Sequence, residues 1–511
     1  MAASVSVSVS VSVVPAAAEG LRAAYTSGKT RTYEWRVSQL NAMLKITTRH
    51  EKDIVLALNS DLGKHEHEAF LHEISAVSAA CRMALKELRL WMKPEKVKTS
   101  MTTFPSSGEL VPEPYGVVLV ISTWNYPILL SLEPVIAAIS AGNAVVLKPS
   151  EVAPATSEVM AKLLGQYMDA SAVKVIEGGV QETTALLEQK WDKIFYTGFL
   201  DHKQLALFGD EVPVYLYLNK FSTGNNKVGR IILAAAAQHL TPVILELGGK
   251  CPVIVDSNIN LTVAVKRLIS GKWGCNSGQT CVAPDYVITT KAFASKLVDA
   301  ISSELERFYG KDPVNSTDMS RIINSRHFER LTKLLDEDKL FGKIVIGGQC
   351  DKTNLKIAPT VILDPPLDSL IMTEEIFGPL LPIITVNDIR DGFNFITSKE
   401  KPLAAYIFTN DRKLKEDFVQ RVSAGGIAVN EVTIHLTDPA LPFGGVGESG
   451  MGTYHGKYSF EAFSHKKPVL YRGFTGEISA RYPPYTTRKL KFLKAAMNGN
   501  IIGIIRALLG W

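Results

Sequence analysis

The sequence predicts an α/β protein with two doubly wound domains, because two successive sets of short apolar strands alternate with helical segments. The first set lies between residues 117 and 246, and the second between 251 and about 455. This alternation is typical of parallel sheets covered by helices. The 511 residues also exceed what one hydrophobic core usually holds, so we expect two or three domains.

The composition is that of a soluble globular protein and gives no indication of nucleic-acid binding. Hydrophobic residues make up 46% of the chain and charged residues 21%, and the net charge of +5 is spread along the sequence. The five cysteines are widely spaced and form no cluster with histidines, so we expect no metal site. Free thiols fit a reducing intracellular compartment.

The N-terminus, residues 1–19, is expected to be a disordered tail, because it begins with alternating Ser and Val. It has no basic segment, which argues against a secretory signal. It is poor in acidic residues but lacks the arginines of a transit peptide, so plastid targeting stays open. Helical apolar spacing follows from residue 16 to about residue 95.

The strands of the first domain end near residues that suit ligand binding. The apolar runs are Val117–Ile121, Ala144–Leu147, Val173–Ile176, Lys193–Tyr196 and Val243–Leu245. Asn125, Lys148, Gly198 and Glu246 come just after four of these runs. Ligands of doubly wound sheets bind beyond the carboxyl ends of the strands, so we expect these residues near one site.

The second domain is predicted from five further apolar runs. They are Pro252–Val255, Tyr286–Ile288, Ile344–Ile346, Leu381–Ile384 and Ala405–Phe408. This domain carries Cys281 on an early loop.

Cys281 and Glu246 are the candidate nucleophile and general base. Cys281 ends the glycine-containing segment 274–281, and Glu246 precedes Gly248 and Gly249, where the backbone can turn closely around a ligand. A thiol and a carboxylate in such loops suit covalent catalysis and the activation of water. Taken alone, a cysteine such as Cys281 is more often a small buried hydrophobic residue than a nucleophile.

Three further segments have ligand-binding chemistry and also ordinary structural explanations. Lys148 and Glu151 suit a phosphate or ribose hydroxyls, or form a solvated turn. The glycines of segment 224–229 precede an apolar helix and suit a pyrophosphate, although the GxGxxG fingerprint is absent. Asn125 can donate to a developing oxyanion, or stabilise the turn before Pro127.

Seven segments occur in an order that resembles the aldehyde dehydrogenase superfamily: WNYP, KPSE, GxxxxG, ELGGK, GQTC, EEIFGP and PFGGVGESG. The closing segment 452–460 resembles the class 3 branch, which includes fatty aldehyde dehydrogenases. The sequence as a whole resembles the plant members of this branch. The resemblance covers residues 20–475. It implies oxidation of medium-chain, long-chain or aromatic aldehydes to acids with NAD or NADP, in a homodimer with a small β oligomerisation arm.

The resemblance also implies a role for individual residues. Cys281 is the nucleophile that forms a thiohemiacetal and then a thioester. The amide of Asn125 and the backbone N–H of Cys281 stabilise the oxyanion, Glu246 activates water, and Glu375 shares or supports that work. The implied cofactor contacts are Trp124, Lys148, Ser150, Glu151, Gly224, Gly229, Glu246, Leu247, Gly248, Glu375 and Phe377. The implied domains are a cofactor-binding domain (20–102 and 123–247), a catalytic domain (248–455) and the arm (103–122 and 456–475).

One segment departs from the pattern of the family. Residues 199–224 look like an in-frame insertion, because their removal joins Tyr196–Gly198 to Asn225–Gly229 and restores the pattern. An isoform that binds cofactor too poorly to turn over is therefore an alternative to an active enzyme, and a cofactor-independent thiol esterase is another.

The C-terminal segment 476–511 departs from a plain soluble enzyme, and the resemblance to fatty aldehyde dehydrogenases implies a C-terminal membrane anchor. The segment combines basic residues with a short apolar end, so we expect peripheral membrane contact through 488–511, with packing on the protein as the alternative. A cytoplasmic or endomembrane location follows from this expectation.

Overall fold

A computed structural model describes residues 11–100, 103, 105–198, 226–337, 340–475 and 477–509. The strands are β1 (Glu95–Val97), β2 (Ser107–Pro114), β3 (Val117–Ile121), β4 (Ala144–Lys148), β5 (Val173–Val175), β6 (Lys193–Thr197), β7 (Val243–Glu246), β8 (Pro252–Val255), β9 (Tyr286–Thr290), β10 (Ile344–Ile346), β11 (Cys350–Asp351), β12 (Lys356–Ile357), β13 (Thr360–Leu363), β14 (Leu380–Val386), β15 (Ala404–Phe408), β16 (Gly426–Val429), β17 (Gly450–Met451) and β18 (Ser464–Tyr471).

Helices alternate with these strands through most of the chain. They are α1 (Val13–Thr26), α2 (Tyr33–Arg49), α3 (Glu51–Leu62), α4 (Glu66–Ala69), α5 (Ser75–Trp91), α6 (Leu129–Ala141), α7 (Pro154–Tyr167), α8 (Val180–Leu187), α9 (Asn226–Ala237), α10 (Leu261–Lys272), α11 (Lys291–Tyr309), α12 (Ser325–Leu335), α13 (Leu370–Thr373), α14 (Ile389–Thr397), α15 (Arg412–Arg421), α16 (Gly456–Ala462), α17 (Thr487–Met497) and α18 (Ile501–Leu509). A π-helical turn, Phe70–Ile74, connects α4 to α5.

The first sheet has the strand order β17-β7-β6-β3-β4-β5 in the described part of the chain. Its pairings are parallel except that of β17 with β7. β3 and β4 are buried at every position, which is why their sequences are continuous apolar runs. The short β17, expected in the catalytic domain, extends this sheet instead. The parallel strands bring the polar residues that follow them to one edge of the sheet.

Helix α1 corrects the expectation of a disordered tail over residues 1–19. It begins at Val13, and its buried residues Val14, Ala17 and Leu21 share one face. This face packs against β3 and β4, so apolar burial stabilises a segment that composition alone described as a tail. Residues 1–10 lie outside the described residues.

The second sheet has the order β10-β13-β14-β9-β8-β15-β16. Only the pairing of β10 with β13 is antiparallel among its described pairings. All five predicted strands of this domain are present, and β13 and β16 were not predicted. The two strand–helix domains confirm the predicted α/β class.

A three-stranded antiparallel sheet, β1-β2-β18, forms a separate arm. Its strands correct the expected bounds of 103–122 and 456–475. β3 lies within the first of these ranges but belongs to the first sheet, because its apolar residues need burial on both faces. α16 lies within the second range but packs against α5 and α6.

The C-terminal helices α17 and α18 pack against each other. Arg488 on α17 donates through Nε to the carbonyl oxygen of Ala507 at 2.9 Å, near the end of α18. Ile501, Ile502 and Leu508 stay exposed. Within the described residues, no helix combines the length and apolar character needed to cross a bilayer.

Candidate active site

Cys281 lies at the end of a tightly wound loop between α10 and β9. The loop contains a 3₁₀ turn, Asn276–Gly278, whose residues have φ angles of 51°, 50° and 78°. Gly278 is required here, because a Cβ would lie 2.2 Å from the carbonyl oxygen of Gly378. The loop leaves Cys281 partly exposed, whereas Cys275 is buried.

An apolar cluster borders the Cys281 thiol. Its buried members are Leu62, Trp124, Ala153, Ile323 and Phe377. The rings of Trp124 and Phe377 meet edge to face, with centroids 5.4 Å apart. Phe377 has a φ of 50°, which bulky residues rarely adopt, so the surrounding packing must hold it. Two of the predicted cofactor contacts, Trp124 and Phe377, therefore lie beside the predicted nucleophile.

The side chain of Asn125 is held against the Cys281 loop. Its Nδ2 donates to the carbonyl oxygen of Gln279 at 3.0 Å, and the residue is buried. Its Oδ1 has no hydrogen-bond partner among the described residues. An amide nitrogen carries two hydrogens, so Asn125 has a second N–H to donate to another acceptor at this loop.

Glu246 is a buried carboxyl group at the end of β7. Neither of its side-chain oxygens has a hydrogen-bond partner in the part of the chain that the structure describes. Burial, followed by the negative charge of Glu133, raises the pKa of Glu246 well above its ordinary value. A carboxyl group with a raised pKa is suited to take up and release protons near neutral pH.

Glu375 lies on the loop between α13 and β14. Burial, followed by the negative charge of Asp285, raises the pKa of Glu375 to about 8. Lys250 fixes this loop, because its Nζ donates to the carbonyl oxygens of Ile371 and Glu374 at 2.8 and 2.7 Å. The same ammonium group pairs with Asp285. Glu375 is thus held in place by groups outside the Cys281 loop.

Glu246 and Glu375 both act electrostatically on Cys281. Burial, followed by the charges of Glu246 and Glu375, raises the pKa of the Cys281 thiol well above its ordinary value. Each negative charge makes the next deprotonation harder. The resting site therefore favours a neutral thiol, although attack on a carbonyl requires the thiolate.

A cleft at the carboxyl ends of β3, β4 and β6 has side chains suited to a dinucleotide. Apolar side chains of α8 and α9 form one wall: Val180, Leu187, Val228, Ile231 and Ile232. The predicted contacts Trp124, Lys148, Ser150 and Glu151 also line this cleft. The structure thus brings together side chains suited to both the apolar and the polar parts of such a ligand.

The cleft contains polar side chains that can bind hydroxyl or phosphate groups. Lys148 and Glu151 form an ion pair with each other. The buried hydroxyls of Thr123, Tyr196 and Thr197 line the same cleft, and none has a hydrogen-bond partner among the described residues. Buried polar groups are normally satisfied, so these hydroxyls are consistent with a bound polar ligand.

The remaining predicted cofactor contacts have different outcomes. Gly224 lies outside the described residues. Gly229 lies in the first turn of α9, where a Cβ would come within 3.2 Å of the Leu247 side chain. Because Gly229 has no Cβ, α9 can approach the end of β7 closely. Leu247 is buried, and Gly248 follows it in the loop after β7.

Sequence reasoning missed the buried charged residues that hold the site loops. Lys250 belongs to the ELGGK segment, so its position close to Glu246 was a usable indication. Lys64 and Glu73 are fully buried. They lie near a helical segment whose apolar residues have the spacing of an ordinary amphipathic helix, in which charged residues are normally exposed. Their burial depends on contacts with distant loops, which no local pattern reports.

The chain is similar to aldehyde dehydrogenases along almost its full length. The family model described as aldehyde dehydrogenase family matches residues 5–201 and 220–469. An aldehyde dehydrogenase of Craterostigma plantagineum is 62% identical over 96% of this chain and 98% of its own. Aldehyde dehydrogenase family 3 member H1 of Arabidopsis thaliana is 59% identical, with 96% of each chain covered.

A solved structure agrees with these relatives. The substrate-bound state of Staphylococcus aureus AldH has 39% identity and a TM-score of 0.87, covering 95% of this chain and 99% of that one. These similarities confirm the resemblance drawn from the seven ordered segments. NAD or NADP is the cofactor of this family, so the expected cofactor agrees with the family match. The chain belongs to the aldehyde dehydrogenase family of oxidoreductases.

Proposed function

We propose that this chain oxidises aldehydes through a covalent intermediate on Cys281, with Glu246 as the general base. The observation that carries the proposal is a partly exposed thiol at the end of a tightly wound loop, beside Trp124 and Phe377. The buried carboxyl group of Glu246, which has no hydrogen-bond partner among the described residues, and that of Glu375 act on this thiol electrostatically. Asn125 is bound to the same loop through Gln279. Perturbed groups that converge in this way are typical of catalytic sites.

The first half of the reaction forms the bond between carbon and sulfur. The Cys281 thiol gives up its proton to solvent or to a carboxylate, and its sulfur attacks the aldehyde carbon. The carbonyl oxygen becomes an oxyanion, which accepts hydrogen bonds from the second N–H of Asn125 and the backbone N–H of Cys281. NAD or NADP, held in the cleft by Trp124, Lys148 and Glu151, would supply the oxidant as acceptor of the hydride from this carbon. A thioester on Cys281 remains.

The second half of the reaction hydrolyses the thioester. Glu246, in its ionised form, takes a proton from water, and the oxygen attacks the acyl carbon. The bond to sulfur then breaks, the acid leaves, and Cys281 regains a proton. The negative charge of Glu133 makes Glu246 a better proton acceptor. Glu375 is given a supporting role because its charge, like that of Glu246, acts on Cys281.

The decisive experiment compares Cys281→Ala with Cys275→Ala, the matched buried cysteine of the same loop. We expect Cys281→Ala to abolish cofactor reduction with a medium-chain aldehyde, and Cys275→Ala to retain it. Hydrolysis of an activated ester, measured without any nucleotide, separates the esterase alternative. Ester hydrolysis without aldehyde oxidation in the unmodified chain would favour that alternative.

For the cofactor, we infer NAD or NADP in the cleft, with a preference for NAD. Glu151 supports this preference, since its carboxylate would repel a 2′-phosphate. A rat relative that is 43% identical is named "dimeric NADP-preferring", so the family contains both preferences. Glu151→Gln should improve KM for NADP more than KM for NAD, and an unchanged ratio of the two would contradict the inference.

The substrate class that we infer is medium-chain, long-chain or aromatic aldehydes. It rests on the likeness to family 3 members, which include member A2 of rat at 41% identity. The value of kcat/KM for straight-chain aldehydes of increasing length tests it. A maximum at the shortest aldehydes would contradict the inference.

A non-catalytic isoform is the second candidate, and residues 199–224 favour it. The family match leaves 202–219 unmatched, and these residues lie within the inferred insertion. The insertion leads into α9, which lines the cofactor cleft. Cofactor affinity of the full chain and of a 199–224 deletion decides the question. Equal affinities would contradict a disabling role for the segment.

We infer a homodimer that forms through the arm. The strand β18 lies at one edge of the arm, and β16 lies at an edge of the second sheet, so both present backbone groups that a second copy can pair with. The printed name of the rat relative includes the word dimeric. Light scattering of the full chain and of a Val469→Pro variant in β18 tests this. A variant that stays dimeric would contradict the role of that edge.

The C-terminal helices support peripheral membrane contact, and we infer a cytoplasmic or endomembrane location. Ile501, Ile502, Ile505 and Leu509 are exposed on α18, close to the basic residues of α17. A relative that is 57% identical, member I1 of Arabidopsis thaliana, is named chloroplastic, so plastid location is kept as the alternative. Vesicle flotation of the full chain and of a 488–511 deletion tests membrane contact. Equal partition of both chains would contradict it.

A further inference from the structure

A buried ion pair lies behind the segment that carries Asn125. Lys64 follows Gly63, the residue that ends α3, and Glu73 belongs to the π-helical turn between α4 and α5. Both side chains are completely buried and are in direct contact with each other. Neither residue belongs to the seven ordered segments. Burial of two charges costs free energy that their attraction often fails to recover, so such a pair calls for an explanation beyond stability.

The pair binds both ends of the segment from Asn125 to Leu129. Lys64 Nζ donates to the backbone carbonyl oxygen of Asn125 at 2.9 Å. Glu73 Oε2 accepts from the backbone N–H groups of Ile128 and Leu129 at 2.8 and 3.2 Å. These N–H groups lie at the N-terminus of α6, where a carboxylate is favourable. An apolar pair of the same volume could make none of these contacts.

Two further contacts extend the arrangement to aromatic and catalytic groups. Lys64 Nζ lies 3.9 Å from the ring centroid of Tyr126, which adds a cation–π contact on the same segment. Asn276 Nδ2 also donates to the carbonyl oxygen of Asn125, at 2.9 Å. The backbone N–H of Asn276 is in turn held by Glu68 at 2.7 Å. The carbonyl oxygen of Asn125 is thus fixed from two sides.

We propose that Lys64 and Glu73 are positioning residues, which orient the Asn125 amide toward the oxyanion by clamping the backbone on either side of it. The proposal rests on the oxyanion role given to Asn125 above. Small displacements of an oxyanion donor are costly to the rate, because the donor must match the oxygen of the transition state. The clamp acts on catalysis through the segment of Asn125, and neither Lys64 nor Glu73 lines the cofactor cleft.

The test is a double-mutant cycle between the clamp and Asn125. Lys64→Met with Glu73→Gln removes both charges together, and glutamine keeps an oxygen for the two N–H groups of α6. We expect this double variant to lower kcat about 10-fold with little change in KM, and Asn125→Ala to lower kcat by about 10²–10³-fold. In the Asn125→Ala background the clamp variant should lower kcat less than about 2-fold. Cofactor-free ester hydrolysis should show the same non-additivity.

Lys193→Met is the matched control, because it removes another buried lysine, on β6, whose ammonium lies over the ring of Tyr115. It should leave kcat unchanged. Thermal unfolding and the fraction of Cys281 that can be alkylated establish that each variant is folded. If the double variant does not fold, Glu73→Gln alone replaces it in the double-mutant cycle. Multiplicative losses of kcat would overturn the clamp. An Asn125→Ala variant with full kcat would instead overturn the oxyanion role itself.

Discussion

The raised pKa of Glu375 predicts that Glu375→Gln becomes increasingly favourable to stability as the pH rises. Below about pH 4.5 the folded and unfolded chains both keep the proton on this carboxyl group, so it contributes nothing to their difference. Between the ordinary value of 4.5 and the raised value of about 8, only the folded chain keeps it. Raising the pH then favours unfolding, and above pH 8 the full penalty is present.

The size of the effect follows from the same two pKa values. At about 1.4 kcal/mol for each pH unit, the interval from 4.5 to about 8 corresponds to an upper bound of about 5 kcal/mol. Glu375 is partly exposed, and solvent screens part of this penalty, so we expect about 3 kcal/mol. The glutamine variant, which cannot ionise, escapes the penalty.

Urea unfolding of wild type and variant between about pH 5 and about pH 9 measures this difference. Glu374→Gln is the matched control, since it removes the neighbouring carboxyl group and keeps the backbone carbonyl that Lys250 binds. The free energy of unfolding of Glu375→Gln should rise relative to wild type with pH, while that of Glu374→Gln should run parallel to wild type. Parallel curves for Glu375→Gln would refute the reasoning.

Two further predictions concern the loops that carry the site. Lys250→Met leaves the buried carboxylate of Asp285 without its ammonium partner and should lower the free energy of unfolding by about 3–5 kcal/mol. In urea unfolding, the added substitution Asp285→Asn should recover part of this loss. No recovery would contradict the pairing. Gly278→Ala forces a Cβ to within 2.2 Å of the Gly378 carbonyl oxygen and should abolish turnover. Gly310→Ala, at the same φ of 78° but in open space, should keep its activity; equal losses would attribute the effect to φ alone.

Local patterns predicted the strands that position the chemistry. β3, β4 and β6 are buried on both faces, so their apolar runs are unmistakable, and the residues after them reach the cleft. The start of helix α1 was missed, although helical spacing was predicted from residue 16, because three small or apolar residues, Val14, Ala17 and Leu21, are enough to bury one face against a sheet. The amino-acid composition predicted a disordered tail because composition averages over all residues of the segment. Helix packing depends instead on the few residues that share one face.

The candidate site was predictable where its residues form motifs and unpredictable where they meet through tertiary contacts. Cys281 and Glu246 are marked by flanking glycines, which the loop geometry requires. Lys64 and Glu73 carry no such mark, because a charged residue near a helical segment is normally solvated. Their burial results from the approach of the segment after β3, which a local pattern does not encode.

The electrostatics of the site suggest why a cysteine nucleophile is surrounded by carboxyl groups here. Enzymes that keep a resting thiolate lower the thiol pKa with a histidine, a lysine or a helix N-terminus. Around Cys281 burial, followed by the charges of Glu246 and Glu375, acts in the opposite direction and raises the thiol pKa, so the resting thiol stays protonated and reacts slowly with electrophiles. A positive charge brought close to the sulfur lowers its pKa by the same Coulomb argument, and NAD+ carries one on its nicotinamide ring. On the roles proposed for Glu246 and Glu375, the same carboxyl groups would serve twice: they would activate water in the second half of the reaction and would oppose thiolate formation until the oxidised cofactor is bound.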